Sequence, residues 1–205
     1  MGRASQVLRE CADTDSEAKL AELLKRTNGS AVSPRKARKQ VSLGLGCVVV
    51  AETPSIVRTV LGSCVAVILH VPRLRISALC HAQMPERHGE GHCFESCPEP
   101  CYTELQGTND LKYVTCCVRY MLRELVRLHV AKKEIVSTVI GGANVLRNID
   151  PQWSVAGRNV TMAIAILEKE KIRVAYSDIG GTKGRVIEHY SDLNRTKIRY
   201  HTAEP

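Results

Sequence analysis

Apolar, mostly β-branched residues make up most of Val65–Val71, which is the clearest buried strand in the chain. A second short strand is predicted at residues 75–80, and Pro72 suits the first central position of a turn between the two. A hairpin centred on this turn pairs residue i with residue 145 − i, which places Cys64 opposite His81. Directly opposed residues on one face have Cβ atoms roughly 4.5–5.5 Å apart. The pattern therefore predicts a thiol and an imidazole in contact, provided that the register is right.

The other elements are predicted from helical and strand periodicity. Apolar residues recur at helical spacing over residues 111–129, and a second helix is predicted over residues 160–171 with Asn159 as its cap. Because strands outnumber helices and hairpin-like connections occur at both ends, we predict an α+β fold, a layered sandwich of mixed β-sheets covered by two main helices. The remaining strands are predicted at residues 43–51, 135–140, 172–177, 184–190 and 196–201.

Residues 1–40 have a charge pattern of their own. They hold nine Lys/Arg and five Asp/Glu, which is half of the net charge of +8. We predict an N-terminal extension over residues 1–40, with a short amphipathic helix at residues 16–26 and a basic flexible linker, followed by one domain over residues 41–205. The basic run could contact phosphates or anionic lipid, but aromatic residues make up only 4% of the chain, so nucleic-acid binding is disfavoured.

Cysteine usage and hydropathy indicate the compartment. The nine cysteines are odd in number and irregularly spaced, which favours reduced thiols over a disulfide framework. No apolar run reaches the length of a membrane span, and the N-terminus lacks a signal-peptide core. We therefore expect a cytoplasmic protein without membrane insertion.

A long loop at residues 86–110 is rich in histidine and cysteine. Four of its side chains could supply zinc ligands, although the spacing is not the C-x2-C of common zinc sites, and the Gly and Pro content fits a mobile flap equally well. No metal or other cofactor is predicted. The weak metal-ligand candidates are His88, His92, Cys93, Cys97 and Cys101.

Several short motifs follow one another along the chain. The first is Leu61-Gly62-Ser63-Cys64-Val65-Ala66-Val67, followed by His81 and Met84-Pro85. The later ones are Ile140-Gly141-Gly142-Ala143, Gly157-Arg158-Asn159, and Asp178-Ile179-Gly180-Gly181 with Arg185. In this order the motifs resemble those of the chemoreceptor glutamine deamidases of the CheD family, and the resemblance covers about residues 42–200. It implies the same layered fold and a catalytic set of Cys64, His81 and an upstream threonine, for which Thr59 fits.

The chemistry of an amide explains why such a site needs both a thiol and an imidazole. A carboxamide carbon is a poor electrophile, and an isolated cysteine with a pKa of ~8.5 is mostly protonated at neutral pH. We therefore expect His81 to take the proton of Cys64 and to pass a proton to the departing ammonia. The bend at Gly62 and Ser63 leaves the backbone N–H of Cys64 as a candidate oxyanion donor.

Simpler roles remain open for several of these residues. Cys64 alone is as readily a core residue as any other cysteine, and Thr59 is also explained as an ordinary strand residue. Gly142 and Arg158 are candidates for substrate positioning, for which a packing bend and a structural salt bridge are the simpler explanations.

The resemblance also implies partners. These are the cytoplasmic domains of methyl-accepting chemoreceptors, whose glutamines would become glutamates, and a CheC-type phosphatase. The alternative is a non-catalytic binding module that docks on the receptors or on that phosphatase.

Overall fold

In the computed structural model, residues 38–87, 110–145, 150 and 153–201 are described. Two sheets and two helices in this part of the chain form three layers, as the α+β prediction requires. The strands are β1 (Lys39–Ser42), β2 (Cys47–Ala51), β3 (Ser55–Leu61), β4 (Val65–Val71), β5 (Ile76–Ala82), β6 (Val136–Gly141), β7 (Arg173–Ile179), β8 (Gly184–Tyr190) and β9 (Arg195–His201); the helices are α1 (Val114–Arg127) and α2 (Val155–Lys169).

The five-stranded sheet, in the order β2-β5-β4-β6-β7, is the middle layer. Every residue of β4 and β5 is buried, because one face of these strands packs under the helices and the other packs on the second sheet. Along β4, Val65 and Val67 belong to the helix side, whereas Ala66 and Ile68 belong to the inter-sheet side. Burial on both faces explains why the strand is apolar apart from His70, whose Nδ1 lies 2.9 Å from the Ser77 hydroxyl.

The outer layer is a four-stranded sheet in the order β1-β3-β8-β9. Its strand β1 was not predicted, and it pairs in parallel with β3. The prediction of one continuous strand over residues 43–51 is wrong at its start, because β2 begins only at Cys47. Gly46, directly before it, has a φ of 68°, which ends the extended conformation there.

The predicted register of the β4–β5 hairpin is wrong by two residues. Val65 pairs with Ala82 and Val71 with Ile76, so that residue i faces residue 147 − i. The reason is the loop, which spans four residues instead of two and ends at Arg75, whose φ is 55°. His81 therefore faces Ala66 and not Cys64. A shift of two residues keeps every side chain on its face, so Cys64 stays on the same side as His81, as a diagonal neighbour.

Helix α1 agrees with its prediction, and α2 does not. The buried side of α1 contains the residues that the periodicity selects, namely Val114, Cys117, Val118, Met121, Leu122 and Leu125. Helix α2 begins five residues before the predicted start, with Ser154 as its cap: the Ser154 hydroxyl accepts from the Gly157 N–H at 3.0 Å. Glycine disfavours the helix interior, which hid the first turn from the sequence pattern. Asn159 is consequently not a cap but a buried residue inside the helix.

Two further predictions concern the N-terminal extension and the membrane. The extension at residues 1–40 and its helix lie outside the described residues apart from residues 38–40, so the domain division stays a prediction. In the described part, no helix combines the length and the apolar content that crossing a bilayer requires.

Candidate functional site

The bend between β3 and β4, residues 62–64, lies at one end of the sandwich and is held by the end of β6. The Ala143 N–H donates to the Gly62 carbonyl at 2.8 Å, and the Gly142 N–H donates to the Cys64 carbonyl at 2.7 Å. A Cβ on Gly141 would lie 2.3 Å from the Cys64 carbonyl oxygen, and the φ of Gly141 is 115°. Glycine at this position therefore permits the close approach of β6 to the backbone of Cys64.

Gly142 needs to be glycine for a second reason. Its φ is 65°, and a Cβ there would lie 2.2 Å from Cγ2 of Val160 on α2. Packing thus accounts for the residue type, and the backbone of Gly142 positions the bend. A direct contact between Gly142 and a substrate stays a prediction.

Asn159 ties the bend to the end of the neighbouring strand β5. Its side-chain Nδ2 donates to the Ser63 carbonyl at 3.1 Å and to the Gln83 carbonyl at 2.9 Å. The residue is fully buried, and its Oδ1 has no hydrogen-bond partner among the described residues. The sequence pattern gave Asn159 only a capping role, so this connection was missed.

Thr59 and His81 meet in the space between the two sheets. The Thr59 hydroxyl donates to the Leu43 carbonyl at 2.7 Å and lies 2.7 Å from Nδ1 of His81. A carbonyl can only accept, so the hydroxyl hydrogen is used there, and the hydroxyl oxygen accepts from His81 Nδ1–H. This assignment leaves Nε2 of His81 unprotonated. That atom is buried and has no hydrogen-bond partner within the described residues.

The thiol and the imidazole are both neutral at pH 7. Burial lowers the pKa of His81 to about 4, and the nearby Leu43 carbonyl offsets only part of that effect. Burial also raises the pKa of Cys64 to about 11, against a smaller opposite contribution from a hydrogen bond with Ser63. The resting site therefore holds a thiol and a neutral imidazole instead of an ion pair.

Cys64 and His81 are diagonal neighbours on one face of the sheet, and Cys64 is the more exposed of the two. It packs at the margin of the inter-sheet cluster, is partly exposed, and lines a cleft of about 390 Å³. His81 does not line the cleft, and since its Nε2 has no partner, no hydrogen bond joins it to the thiol. Catalytic hydrogen bonds are often longer in unliganded enzymes than in their complexes. The site thus has a partly exposed sulfur and, on the neighbouring strand, a buried imidazole nitrogen that can accept a proton.

Both polar and apolar side chains line the cleft. Gln83, Asn144 and the capping residue Ser154 line it together with the bend, so the N-terminus of α2 faces the cleft. Two of its apolar lining residues, Leu45 and Val145, are 51% and 47% exposed, and we call these two side chains the apolar rim. Trp153, which directly precedes Ser154 but does not line the cleft, is 73% exposed.

The remaining predicted site residues lie elsewhere. Arg158 is exposed on α2 and does not line the cleft, so its positioning role stays a prediction. In the described ranges, no group of three or more His, Cys, Asp or Glu side chains could hold a metal ion. The predicted metal-ligand candidates His88, His92, Cys93, Cys97 and Cys101 lie outside the described residues.

Fold and cleft define a class: an α+β sandwich that presents one thiol beside a buried Thr–His pair. The family profile described as "CheD chemotactic sensory transduction" matches residues 98–200. The chain is 30% identical over 162 residues to "Probable chemoreceptor glutamine deamidase CheD 1" of Anaeromyxobacter dehalogenans, covering 79% of this chain and 85% of the relative. It is 32% identical over 163 residues to "Probable chemoreceptor glutamine deamidase CheD" of Pyrococcus horikoshii, covering 78% and 91%. The chain belongs to the CheD family.

The matches to the relatives reach the site although the profile match does not. Residues 98–200 begin after Thr59, Cys64 and His81. A match that covers 162 of 205 residues leaves only 43 outside it. A continuous stretch of that length includes residues 59–81 wherever it begins. The similarity to the relatives therefore extends over the bend and both strands that carry the site.

Proposed function

We propose that this chain is a cysteine-dependent amidohydrolase that converts glutamine side chains of methyl-accepting chemoreceptors to glutamate and so regulates chemotactic adaptation. One observation carries the proposal. Of the five cysteines in the described part of the chain, four are buried, and the partly exposed one, Cys64, lines the cleft beside the Thr59–His81 pair.

The reaction proceeds through a thioester. As the glutamine carboxamide binds, the Cys64 proton moves to Nε2 of His81 while the sulfur attacks the amide carbon, and the carbonyl oxygen becomes an oxyanion facing the Cys64 N–H. His81 returns the proton to the nitrogen, the C–N bond breaks, and ammonia leaves. His81 then takes a proton from water, whose oxygen attacks the thioester. Cys64 departs and regains the proton, and the product is glutamate.

The pKa values indicate that proton transfer accompanies the attack. Moving a proton from a thiol of pKa about 11 to an imidazole of pKa about 4 costs roughly 10 kcal/mol before the attraction of the two charges is counted. That attraction is about 4 kcal/mol for charges 4 Å apart at an effective dielectric constant of 20. A separate ion pair is thus unfavourable. The N-terminus of α2 at the cleft favours the negative charge that develops on sulfur and oxygen.

Two observations support a receptor segment as the substrate. The relatives bear the name of chemoreceptor glutamine deamidases. The apolar rim of Leu45 and Val145 also gives the cleft an exposed apolar surface, which suits a polypeptide segment better than free glutamine. A cytoplasmic location follows if the substrate is the cytoplasmic domain of a receptor. Binding of a CheC-type phosphatase stays a prediction.

The test is incubation with a receptor cytoplasmic fragment, followed by peptide mass spectrometry for the NH2 to OH change. We expect activity in the wild type and in Cys116→Ala, which removes a buried thiol on α1, and loss of activity in Cys64→Ala and His81→Ala. Binding of the fragment without a mass change in the wild type would instead identify a non-catalytic binding module. Deamidation by Cys64→Ala at the wild-type rate would refute the cysteine mechanism.

A further inference from the structure

Asn159 occupies a position where a polar side chain has a cost. It is fully buried inside α2, and its Oδ1 has no hydrogen-bond partner among the described residues. An unsatisfied buried acceptor destabilises a fold, and an apolar side chain of similar size would avoid that cost. What Asn159 provides in return is the pair of hydrogen bonds from Nδ2 to the carbonyls of Ser63 and Gln83. Both acceptors are carbonyls, so only the NH2 end of the amide can face them.

These two bonds lie where the β4–β5 ladder stops. The last pair in the ladder is Val65 with Ala82, and in the same register the next pair would be Cys64 with Gln83. Asn159 binds the carbonyl before Cys64 and the carbonyl of Gln83, so it bridges the first position that the ladder leaves unpaired. One side chain thereby fixes the strand end that follows His81 relative to the bend that carries the thiol.

The bond to Ser63 also fixes the direction of the Cys64 N–H. The Ser63 carbonyl and the Cys64 N–H belong to one peptide group, which is planar and trans, so they point in opposite directions. The Asn159 side chain, on the buried side of α2, donates to the Ser63 carbonyl, so the Cys64 N–H points away from Asn159. The Cys64 N–H makes no backbone hydrogen bond to any other described residue, so it is available to a bound group.

We propose that Asn159 is a positioning residue that orients the backbone N–H of Cys64 as the oxyanion donor of this site. The inference rests on the proposed function only in that Cys64 forms a covalent acyl intermediate. Asn159 does not line the cleft, so it acts on the reaction through the peptide group that precedes Cys64. Its effect is on the one donor that meets the negative oxygen of the tetrahedral intermediate.

Two reactions of the same sulfur separate this role from a general structural one. With p-nitrophenyl acetate, the sulfur forms a bond to the acetyl carbon through a tetrahedral oxyanion, and p-nitrophenolate leaves. With iodoacetamide, the sulfur displaces iodide from a saturated carbon, and no oxyanion forms. The modification of residue 64 is followed in both reactions by peptide mass spectrometry, with Cys64→Ala as the blank for the other thiols. The ratio of the acylation rate to the alkylation rate reports the oxyanion donor alone.

The variants are Asn159→Ala and a control on the same helix, Ala163→Gly, which weakens α2 at a buried position away from the bend. We expect Asn159→Ala to lower the ratio at least about tenfold, since losing one oxyanion donor costs about 10² to 10³ in hydrolases. Ala163→Gly should leave the ratio within twofold of the wild type. Asn159→Ser, with a shorter donor, should give an intermediate ratio, and circular dichroism identifies the conditions in which each variant is folded.

Three results would overturn the inference: an unchanged ratio in Asn159→Ala, a parallel fall of both rates, or a wild-type Cys64 that is alkylated but not acylated. A failure of the proposed function looks different. In that case Cys64 is acylated with the expected dependence on Asn159, but the receptor fragment is not deamidated.

Discussion

Replacing Thr59 by valine removes one hydroxyl that has two partners in the space between the sheets. Valine keeps the shape of the side chain, so the change removes two buried hydrogen bonds, from the hydroxyl to the Leu43 carbonyl and from the Nδ1–H of His81 to the hydroxyl. Loss of this shared partner costs each of the two groups about 1–3 kcal/mol, and the added methyl group returns about 0.8 kcal/mol. We expect the free energy of unfolding to fall by about 3 kcal/mol.

The same substitution should slow the reaction through the tautomer of His81. Thr59 accepts from Nδ1–H and so keeps Nε2 free to take the thiol proton. Removing the acceptor of a buried N–H costs about 1–3 kcal/mol, which changes the tautomer ratio by a factor of about 5–150. We therefore expect Thr59→Val to lower the rate of receptor deamidation by about 5- to 150-fold.

Three measurements test these expectations, with Thr59→Ser as the matched control because it keeps the hydroxyl and loses only a methyl group. Urea unfolding gives the stability, mass spectrometry gives the deamidation rate, and ¹⁵N NMR of the histidine rings gives the tautomer directly. Thr59→Ser should remain active and keep the Nδ1–H form of His81. Equal losses of activity in the two variants, or an Nε2–H tautomer in the wild type, would refute the reasoning.

The thiol pKa of about 11 predicts that alkylation of Cys64 by iodoacetamide rises about tenfold per pH unit from pH 7 towards pH 10; a plateau between pH 5 and pH 8 would indicate an ion pair instead. Burial lowers the pKa of His81 to about 4 and that of His189 to about 3, so the unfolded chain takes up these protons first. The contribution of these histidines to the free energy of unfolding is therefore fully present above about pH 6.5. It falls by up to about 1.4 kcal/mol per pH unit for each histidine as the pH drops towards 4. Equal urea midpoints at pH 7.5 and pH 5 would contradict this expectation. Gly62→Ala should leave the urea midpoint unchanged or slightly higher, because a Cβ there meets no atom within 4 Å, whereas Gly141→Ala should be strongly destabilised by its contact with the Cys64 carbonyl.

The central strand was predictable because its environment leaves a strong pattern. Val65–Val71 has the predicted bounds, since burial on both faces favours apolar residues, and its one polar residue, His70, is hydrogen-bonded to Ser77. The hairpin register was not predictable with the same certainty. It depends on Arg75, a residue without the turn preference of glycine or asparagine, adopting a φ of 55°. Local preference did not indicate the four-residue loop, and the pairing moved by two residues.

The candidate site was likewise predictable only in part. Thr59 was selected because the family resemblance implies a threonine before the Leu61 to Cys64 motif, and its hydroxyl lies 2.7 Å from Nδ1 of His81. The bonds of Asn159 could not be predicted, because they join residues 63, 83 and 159, which come together only through the packing of α2 on the sheet. Side-chain bonds to distant carbonyls leave no periodic signal in a sequence.

The Thr59–His81 bond spans the gap between the two sheets, because β3 belongs to one and β5 to the other. The distance between these sheets is set by the apolar side chains packed between them, such as Ile68 and Ile187. The position of the His81 ring and the volume of this core are therefore coupled. Removing a methyl group from the apolar side chains between the sheets would let the sheets move closer together or slide past each other. The His81 ring, which is hydrogen-bonded to Thr59, would then change its orientation.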